Sequence, residues 1–356
     1  MSQAESQSPA TPVAQHPTKI STQQAATALR QQAAAALRQQ ALAKPAWLRV
    51  HYNEELTTDV NEMMVHGGLH TVCREANCPN LGECYKKYTA TFMILGANCT
   101  RNCRFCNVRC EKPEPVDPEE PQHLADVAKR LGAKHVVVTS VDRDDLPDGG
   151  AGQFVKVIRA VRETVPGASI EVLIPDFRGE DGPIDMVLRE LPEVLNHNVE
   201  TVPDLYRTVQ PQANYAHTLH VLARAAAYAK EHKRADGTRM LVKSGMMLGL
   251  GENNDQLKAL FDDLAAHGCD ILSVGQYLQP SPAHYPLQRY VTPEEFAKVQ
   301  AWAEAAGIAY VIAGPLVRSS YRAVDALRAM EDRLRREAQG EKAVAIAKEG
   351  MDGSKA

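Results

Sequence analysis

Short apolar runs alternate with amphipathic segments through the middle of the chain, between about residues 88 and 306. The apolar runs predict strands at Thr89–Leu95, His135–Thr139, Ile170–Ile174, Val194–His197, Met240–Ser244 and Ile271–Gln276, with a further strand at Ala309–Ile312. The segments between them predict helices at Pro121–Leu131, Gln153–Val165, Pro183–Leu191, Ala213–Glu231, Asn253–His267 and Pro293–Ala306. This alternation implies a parallel sheet with crossover helices, a pattern that open α/β sheets and barrels share.

Both ends of the chain depart from this pattern. Residues 1–44 consist mainly of Ala, Gln, Ser, Thr and Pro and have no aromatic side chain before Trp47, which predicts a disordered segment or a frayed helix. A last helix is expected from about Ser320 to Arg336, and the residues from Glu341 onward predict a charged tail.

Charge and hydropathy exclude several classes of protein. The net charge of −4 and a pI of about 6.3 leave no basic footprint for nucleic acid. No apolar run is long enough to span a bilayer, and the N-terminus lacks the apolar stretch of a secretory signal. We therefore expect a cytoplasmic protein without nucleic-acid or membrane partners.

The cysteines are strongly clustered. Seven of the eight lie between Cys73 and Cys110, and the eighth is Cys269. In a reducing compartment such crowding indicates metal ligation rather than disulfides. Cys110 and Cys269 fall outside the two spacing patterns described next, and we interpret them as buried or incidental thiols.

Cys99, Cys103 and Cys106 form a C-x3-C-x2-C triad directly after the first predicted strand of the alternating region. Three closely spaced thiolates suit a 4Fe–4S cluster that leaves one iron free of protein ligands. An open metal position is where a small chelating molecule binds. The alternative is a structural zinc site, although zinc sites favour paired C-x2-C spacings and a fourth ligand.

Cys73, Cys78 and Cys84 form a second triad, C-x4-C-x5-C, just before the same strand. This triad also lacks an adjacent fourth ligand. One interpretation is a structural zinc completed by His66 or His70. The favoured interpretation is a second cluster, because the segment is poor in core-forming residues and precedes a strand that carries a cluster.

The first triad, with Phe105 before its last cysteine, resembles the radical S-adenosylmethionine (SAM) superfamily. The two triads together resemble the lipoyl synthase family within it. The resemblance covers about residues 44 to 325 and extends to further motifs at Lys44–Leu48, Val138–Gly150, Asn196–Pro203, Lys243–Glu252, Gly275–Ser281 and Arg318–Tyr321.

This resemblance implies an α/β fold, a partial (βα)6 parallel barrel of the radical SAM type that is open on one side. It divides the chain into the N-terminal segment 1–44, an extension 45–88 for an auxiliary cluster, the barrel 89–317, and a C-terminal part 318–356 with the Arg-Ser-Ser-Tyr motif, helix and tail.

The resemblance also implies two 4Fe–4S clusters per chain, with SAM as co-substrate. Cys99, Cys103 and Cys106 would hold the cluster that binds and cleaves SAM. The auxiliary cluster would be held by Cys73, Cys78, Cys84 and Ser320, with Ser319 as the alternative to Ser320. By composition alone, either serine is an ordinary helix cap.

Polar side chains near the C-terminal ends of several predicted strands are candidate contacts for SAM, since these ends open on one face of a parallel barrel. The candidates are Asp142, Asp145, Asn198, Glu200 and Lys243. Each one alone is equally compatible with a helix cap or a surface charge.

The reaction implied is insertion of two sulfur atoms, at C6 and C8, into an octanoyl group on a carrier lysine, with the auxiliary cluster as sulfur donor. The implied carriers are lipoyl domains of 2-oxoacid dehydrogenase E2 subunits and the glycine cleavage H protein. An electron donor such as ferredoxin or flavodoxin and an iron–sulfur carrier protein are implied partners. The alternatives are a radical SAM enzyme whose second cluster only transfers electrons, and a non-enzymatic iron–sulfur or zinc scaffold.

Overall fold

A computed structural model describes residues 43–50 and 57–336 of the chain. Eight strands form a single sheet in chain order. Strand β1 pairs antiparallel with β2, and strands β2 to β8 are parallel. The strands are β1 (His70–Thr71), β2 (Thr91–Ile94), β3 (His135–Ser140), β4 (Ser169–Leu173), β5 (Val194–Asn196), β6 (Leu241–Leu248), β7 (Ile271–Gln276) and β8 (Tyr310–Gly314).

The described residues also form helices. They are α1 (Thr58–His66), α2 (Val72–Glu75), α3 (Leu81–Lys86), α4 (Glu120–Arg130), α5 (Ala151–Thr164), α6 (Asp181–Leu188), α7 (Tyr206–Val209), α8 (Tyr215–Glu231), α9 (Asn254–Ala266), α10 (Pro293–Ala305) and α11 (323–336). Helices α1 to α3 precede β2, α4 to α10 lie between successive parallel strands, and α11 follows β8. Capping boxes at Asn253 and Thr292 satisfy backbone donors where α9 and α10 begin. Pro293 at the start of α10 reinforces that boundary.

The predicted α/β class and partial parallel barrel are confirmed. All six strands of the predicted alternation are present, and the further strand predicted at Ala309–Ile312 joins them as β8 through its pairing with β7. Within the described residues, no pairing connects β8 back to β1, so the sheet does not close. The antiparallel strand β1 was not predicted, because two residues carry no periodic signal.

The segment before β2 is more ordered than its composition suggested. Val60 and Met64 from α1 and Leu81 and Tyr85 from α3 are buried in the same core as the barrel. Tyr85 also shares a 2.8 Å hydrogen bond with Thr71. The described part of the predicted extension therefore packs on the barrel through ordinary apolar burial.

Helix α11 lies against the N-terminal ends of β5, β6 and β7. Ala326, Leu327 and Met330 pack there on a small core formed by the first residues of those strands, Val194, Leu241 and Ile271. The C-terminal ends of the strands remain available for a site at the opposite end of the barrel. The predicted disordered segment of residues 1–44, apart from its last two residues, and the predicted tail lie outside the described residues.

Candidate active site

A cavity of about 510 Å³ opens at the C-terminal ends of the parallel strands. The three thiols of the first triad and two of the second, Cys73 and Cys78, line it. A second, smaller cavity adjoins these two residues and is lined by Cys84, Arg318, Ser320 and Tyr321 as well. The structure therefore brings together two cysteine groups that belong to different segments of the chain.

Backbone hydrogen bonds hold the loop of the first triad in place. Cys99 N–H donates to the Arg109 carbonyl at 2.8 Å, which closes the loop on itself. Arg104 N–H donates to the Val209 carbonyl at 2.8 Å, and Tyr285 N–H donates to the Arg104 carbonyl at 2.7 Å. Segments that follow β5 and β7 therefore fix the position of a loop that follows β2.

The burial of all six thiols raises their pKa values. The pKa reaches about 11 for Cys73 and Cys106 and about 12 for Cys84 and Cys99, and it is also raised for Cys78 and Cys103. Nearby thiols and carboxylates raise several of these values further, because buried negative charges repel each other. Thiolates in such a place need a cation, and the iron of an iron–sulfur cluster supplies one, so the donor set fits the predicted clusters.

Neither histidine considered as a fourth zinc ligand for the second triad lines the small cavity. His66 instead contacts the Glu62 carbonyl, and His70 lies 3.8 Å from Glu75. Among the described residues, His66 and His70 therefore do not complete a zinc site at the second triad.

The two serines of the Arg-Ser-Ser-Tyr motif face different parts of the site. The Ser320 hydroxyl accepts a 2.7 Å hydrogen bond from Thr91 and lines the small cavity with the second triad. The Ser319 hydroxyl exchanges hydrogen bonds of 2.8 and 3.1 Å with the amide of Asn198. Of the two serines, only Ser320 lines the small cavity that contains the three cysteines of the second triad.

Asp142 lies beside the first triad, with its Oδ2 3.6 Å from Cys99 Sγ. Burial raises the pKa of Asp142 to about 6, although Arg101 nearby opposes that shift. The Arg101 guanidinium donates to Asp144 at 2.7 and 2.9 Å and to Asp176 at 2.7 Å. This buried charge network was not predicted, because its members are up to 75 residues apart.

Asn198 and Glu200 line the same cavity after β5. Asn198 donates a 3.0 Å hydrogen bond to Glu200, whose backbone has a left-handed φ of 63°. Burial raises the pKa of Glu200 to about 7. A carboxyl group with this pKa can accept or donate a hydrogen bond near neutral pH.

The other two candidates for SAM contacts do not line the cavity. Both oxygens of Asp145 accept 2.9 Å hydrogen bonds from Arg143. Lys243 is fully buried, and its Nζ donates to Glu171 at 2.8 Å. Lys243 lowers the pKa of Glu171, which burial alone would raise. Any cofactor role for Asp145 and Lys243 stays a prediction.

The sequence of the chain is similar to a family model and to curated proteins. Residues 93–264 match the family model of the Radical SAM superfamily. The chain is 51% identical over 282 residues to a lipoyl synthase of Chlorobaculum tepidum, a match covering 79% of this chain and 94% of the relative. It is 48% identical over 281 residues to a lipoyl synthase of Rubrobacter xylanophilus, covering 79% and 85%. A solved structure of methylornithine synthase is similar at 15% identity and a TM-score of 0.43, covering 72% of this chain and 81% of that one.

None of the helices in the described parts of the chain is long and apolar enough to cross a membrane.

Proposed function

The chain belongs to the lipoyl synthase family of radical SAM enzymes, and from that premise we propose that it inserts sulfur at C6 and C8 of a carrier-bound octanoyl group. As a family member it is a lipoate-forming enzyme of the radical SAM, sulfurtransferase type. The observation that supports sulfur insertion at C6 and C8 is that thiols of both triads line one shared cavity. A substrate in that cavity would be close to both metal centres.

Two sets of side chains would hold the clusters. Cys99, Cys103 and Cys106 would hold the cluster that binds SAM, and the auxiliary cluster would be held by Cys73, Cys78, Cys84 and Ser320. When bound, the first cluster supplies the electron that splits SAM into methionine and a 5′-deoxyadenosyl radical, and the second supplies sulfide. Support for Ser320 over Ser319 comes from its position in the small cavity with all three cysteines.

The remaining lining of the cavity suits the two organic reactants. Asp142, Asn198 and Glu200 offer acceptors for the amino group and ribose hydroxyls of SAM. Apolar side chains of the barrel strands, among them Met93, Val137, Leu173 and Met246, offer a surface for an octanoyl chain. Excluding water and holding the target carbon near the radical are what such a reaction requires of the protein.

The proposed reaction assigns a role to each part of the chain and requires several partner proteins. We propose that residues 45–88 and 318–356 serve as cluster-bearing extensions of the barrel 89–317. The carriers would be octanoylated lipoyl domains of E2 subunits and the H protein, in the cytoplasm. A ferredoxin or flavodoxin would supply electrons, and an iron–sulfur carrier protein would rebuild the consumed cluster.

Anaerobic turnover of an octanoylated lipoyl domain, followed by mass spectrometry, tests the reaction. We expect a carrier in which two sulfur atoms have replaced two hydrogens, together with 5′-deoxyadenosine. The reconstituted chain should contain about eight irons, as expected for two four-iron clusters. A stable zinc content with four irons or fewer would contradict two clusters, and 5′-deoxyadenosine without carrier thiolation would indicate another substrate.

Variants of the two triads separate the roles of the clusters. Alanine at all three positions of the first triad should abolish 5′-deoxyadenosine formation. Alanine at all three positions of the second should preserve SAM cleavage and eliminate sulfur insertion. Cys110→Ala is the matched control, because Cys110 is an exposed cysteine outside both triads. If the second variant still made lipoyl product, the auxiliary cluster would not be the sulfur donor.

A further inference from the structure

Arg318 lines both the large and the small cavity. Its Nη1 donates a 2.6 Å hydrogen bond to the Val317 carbonyl. Among the described residues, no carboxylate lies within ion-pair distance of its guanidinium. In the described part of the chain, this is the one hydrogen bond that the guanidinium makes.

Strand β7 has a glycine, Gly275, where it approaches Arg318. A Cβ atom on Gly275 in β7 would lie 3.2 Å from Arg318 Nη1 and 2.1 Å from the Val317 carbonyl oxygen. No side chain could be placed there without moving the backbone of residues 317–318. The absence of a side chain at Gly275 therefore leaves room for the guanidinium beside β7, where Arg318 lines both cavities.

Arg318 is partly buried, and a guanidinium in such a place without a carboxylate partner is unfavourable unless another anion faces it. Cys78 of the second triad lines the same two cavities as Arg318. Four carboxylates line the large cavity with Arg318, and each has another partner: Asp142 and Asp176 pair with Arg101, Glu171 pairs with Lys243, and Glu200 accepts from Asn198. The anion that Arg318 faces must therefore come from the small cavity or from a bound molecule.

We propose that Arg318 is the charge partner of the auxiliary cluster, a positioning residue that raises the reduction potential of that cluster. This inference rests on the proposed function, in which the second triad and Ser320 hold the cluster. Three thiolates and an alkoxide around a four-iron core give a net negative charge. A fixed positive charge beside it stabilises the reduced form relative to the oxidised form, since reduction adds a further negative charge.

The carboxylate of SAM is the other anion that the same guanidinium could bind, from the side of the large cavity. The two possible anions, the auxiliary cluster and the SAM carboxylate, predict different consequences of removing the positive charge of Arg318. A cluster partner alters the potential of the auxiliary cluster when no SAM is present. A SAM partner alters SAM affinity and leaves that potential unchanged.

The test uses the full chain with alanine at Cys99, Cys103 and Cys106, so that the auxiliary cluster is the only one assembled. Arg318→Gln and Arg318→Lys are compared with this parent by redox titration followed by electron paramagnetic resonance. Arg322→Gln is the matched control, because it removes one positive charge from an exposed residue four positions along the chain. SAM affinity is measured separately in chains that retain all six cysteines.

Arg318→Gln should lower the ratio of reduced to oxidised cluster at least tenfold at a fixed applied potential. This change corresponds to a fall of about 59 mV in the reduction potential of the auxiliary cluster, for transfer of one electron. Arg318→Lys should preserve most of the potential, and Arg322→Gln should leave it unchanged. If Arg318→Gln retains four irons at an unshifted potential, or if only SAM affinity falls, the inference is wrong.

Assembly of the cluster provides a second criterion. Iron retained by Arg318→Lys and lost by Arg318→Gln would support the need for a positive charge. Iron lost equally from both variants would overturn the charge-partner role in favour of packing by the arginine itself. A parent that holds no four-iron cluster would instead refute the proposed ligand set, and this inference with it.

Discussion

Glu120 holds the turn that leads from β2 into the loop of the first triad. The backbone N–H of Leu95 donates to both oxygens of Glu120, at 3.0 and 3.1 Å. Leu95 and Gly96 have left-handed φ values of 72° and 92°, and a leucine adopts such a conformation only where its surroundings enforce it. Gln153 donates a further 2.8 Å hydrogen bond to the Glu120 carboxylate. We therefore expect Glu120→Ala to loosen this turn.

The size of the effect follows from the bonds that are lost. A buried N–H without an acceptor costs about 1–3 kcal/mol, and Leu95 would be left in that state. Gln153 would keep its 2.9 Å hydrogen bond to the Asp117 carbonyl. Burial raises the pKa of Glu120, so removing this carboxylate recovers part of its desolvation cost. A net loss of about 2 kcal/mol makes local opening about 30-fold more frequent.

Hydrogen exchange, followed by mass spectrometry of peptides that span β2 and the cysteine loop, measures this opening directly. Glu120→Ala should accelerate exchange there about 30-fold, whereas Glu120→Gln, which keeps an acceptor oxygen, should stay close to the parent. Glu119→Ala is the matched control, since Glu119 is an exposed carboxylate next in sequence. Exchange in Glu120→Ala that is no faster than in Glu119→Ala would refute the positioning role.

Three further predictions concern the serine, the N-terminus and pH. Ser320→Cys should still assemble the auxiliary cluster but slow sulfur transfer, because a thiolate holds iron more firmly than an alkoxide; an unchanged yield of both insertions in the turnover assay would contradict this. A chain that begins at Leu42 should keep both clusters and its turnover, since residues 1–41 contain no cysteine or aromatic residue; loss of carrier binding would show a missed docking segment. Burial raises the pKa of Glu200 from 4.5 to about 7, so the folded chain keeps a proton that the unfolded chain releases, and the free energy of unfolding should fall as pH rises through that window. Urea titrations should show Glu200→Gln gaining up to about 3 kcal/mol on the parent between pH 4.5 and 8, and parallel pH profiles would contradict the shift.

The barrel was predictable because its signal is local. Apolar runs mark the strands, and the predicted bounds of Ile271–Gln276 match β7 at both ends. The prediction for β6 ended at Ser244, whereas the strand continues to Leu248. Gly245 weakens the strand pattern there, but its role is close approach: a Cβ atom would lie 2.6 Å from Asn198 Oδ1 and 2.9 Å from Ser319 Oγ.

The two cysteine triads were also predictable, since their spacing is readable within a dozen residues. The contacts that organise the rest of the site are between distant residues. Lys243 meets Glu171 across 72 residues, and a lone lysine in a strand gives no sign of that partner. Arg101 joins Asp144 and Asp176 in the same way. Pattern analysis therefore finds candidate ligands more readily than it finds what positions them.

The segment after β8 connects the parts of the site that the chain order separates. The side-chain amide of Asn80, between the second and third cysteines of the second triad, donates a 2.6 Å hydrogen bond to the Leu316 carbonyl. Three and four residues later, Ser319 bonds to Asn198 and Ser320 bonds to Thr91. Adjacent serines thus contact two parts of the barrel that are distant in sequence, Thr91 in β2 and Asn198 after β5. Within the described residues no pairing joins the edge strands, and these side-chain contacts attach the segment after β8 to β2 and to the loop after β5. We therefore expect loss of either serine hydroxyl to loosen the attachment of this segment to the barrel.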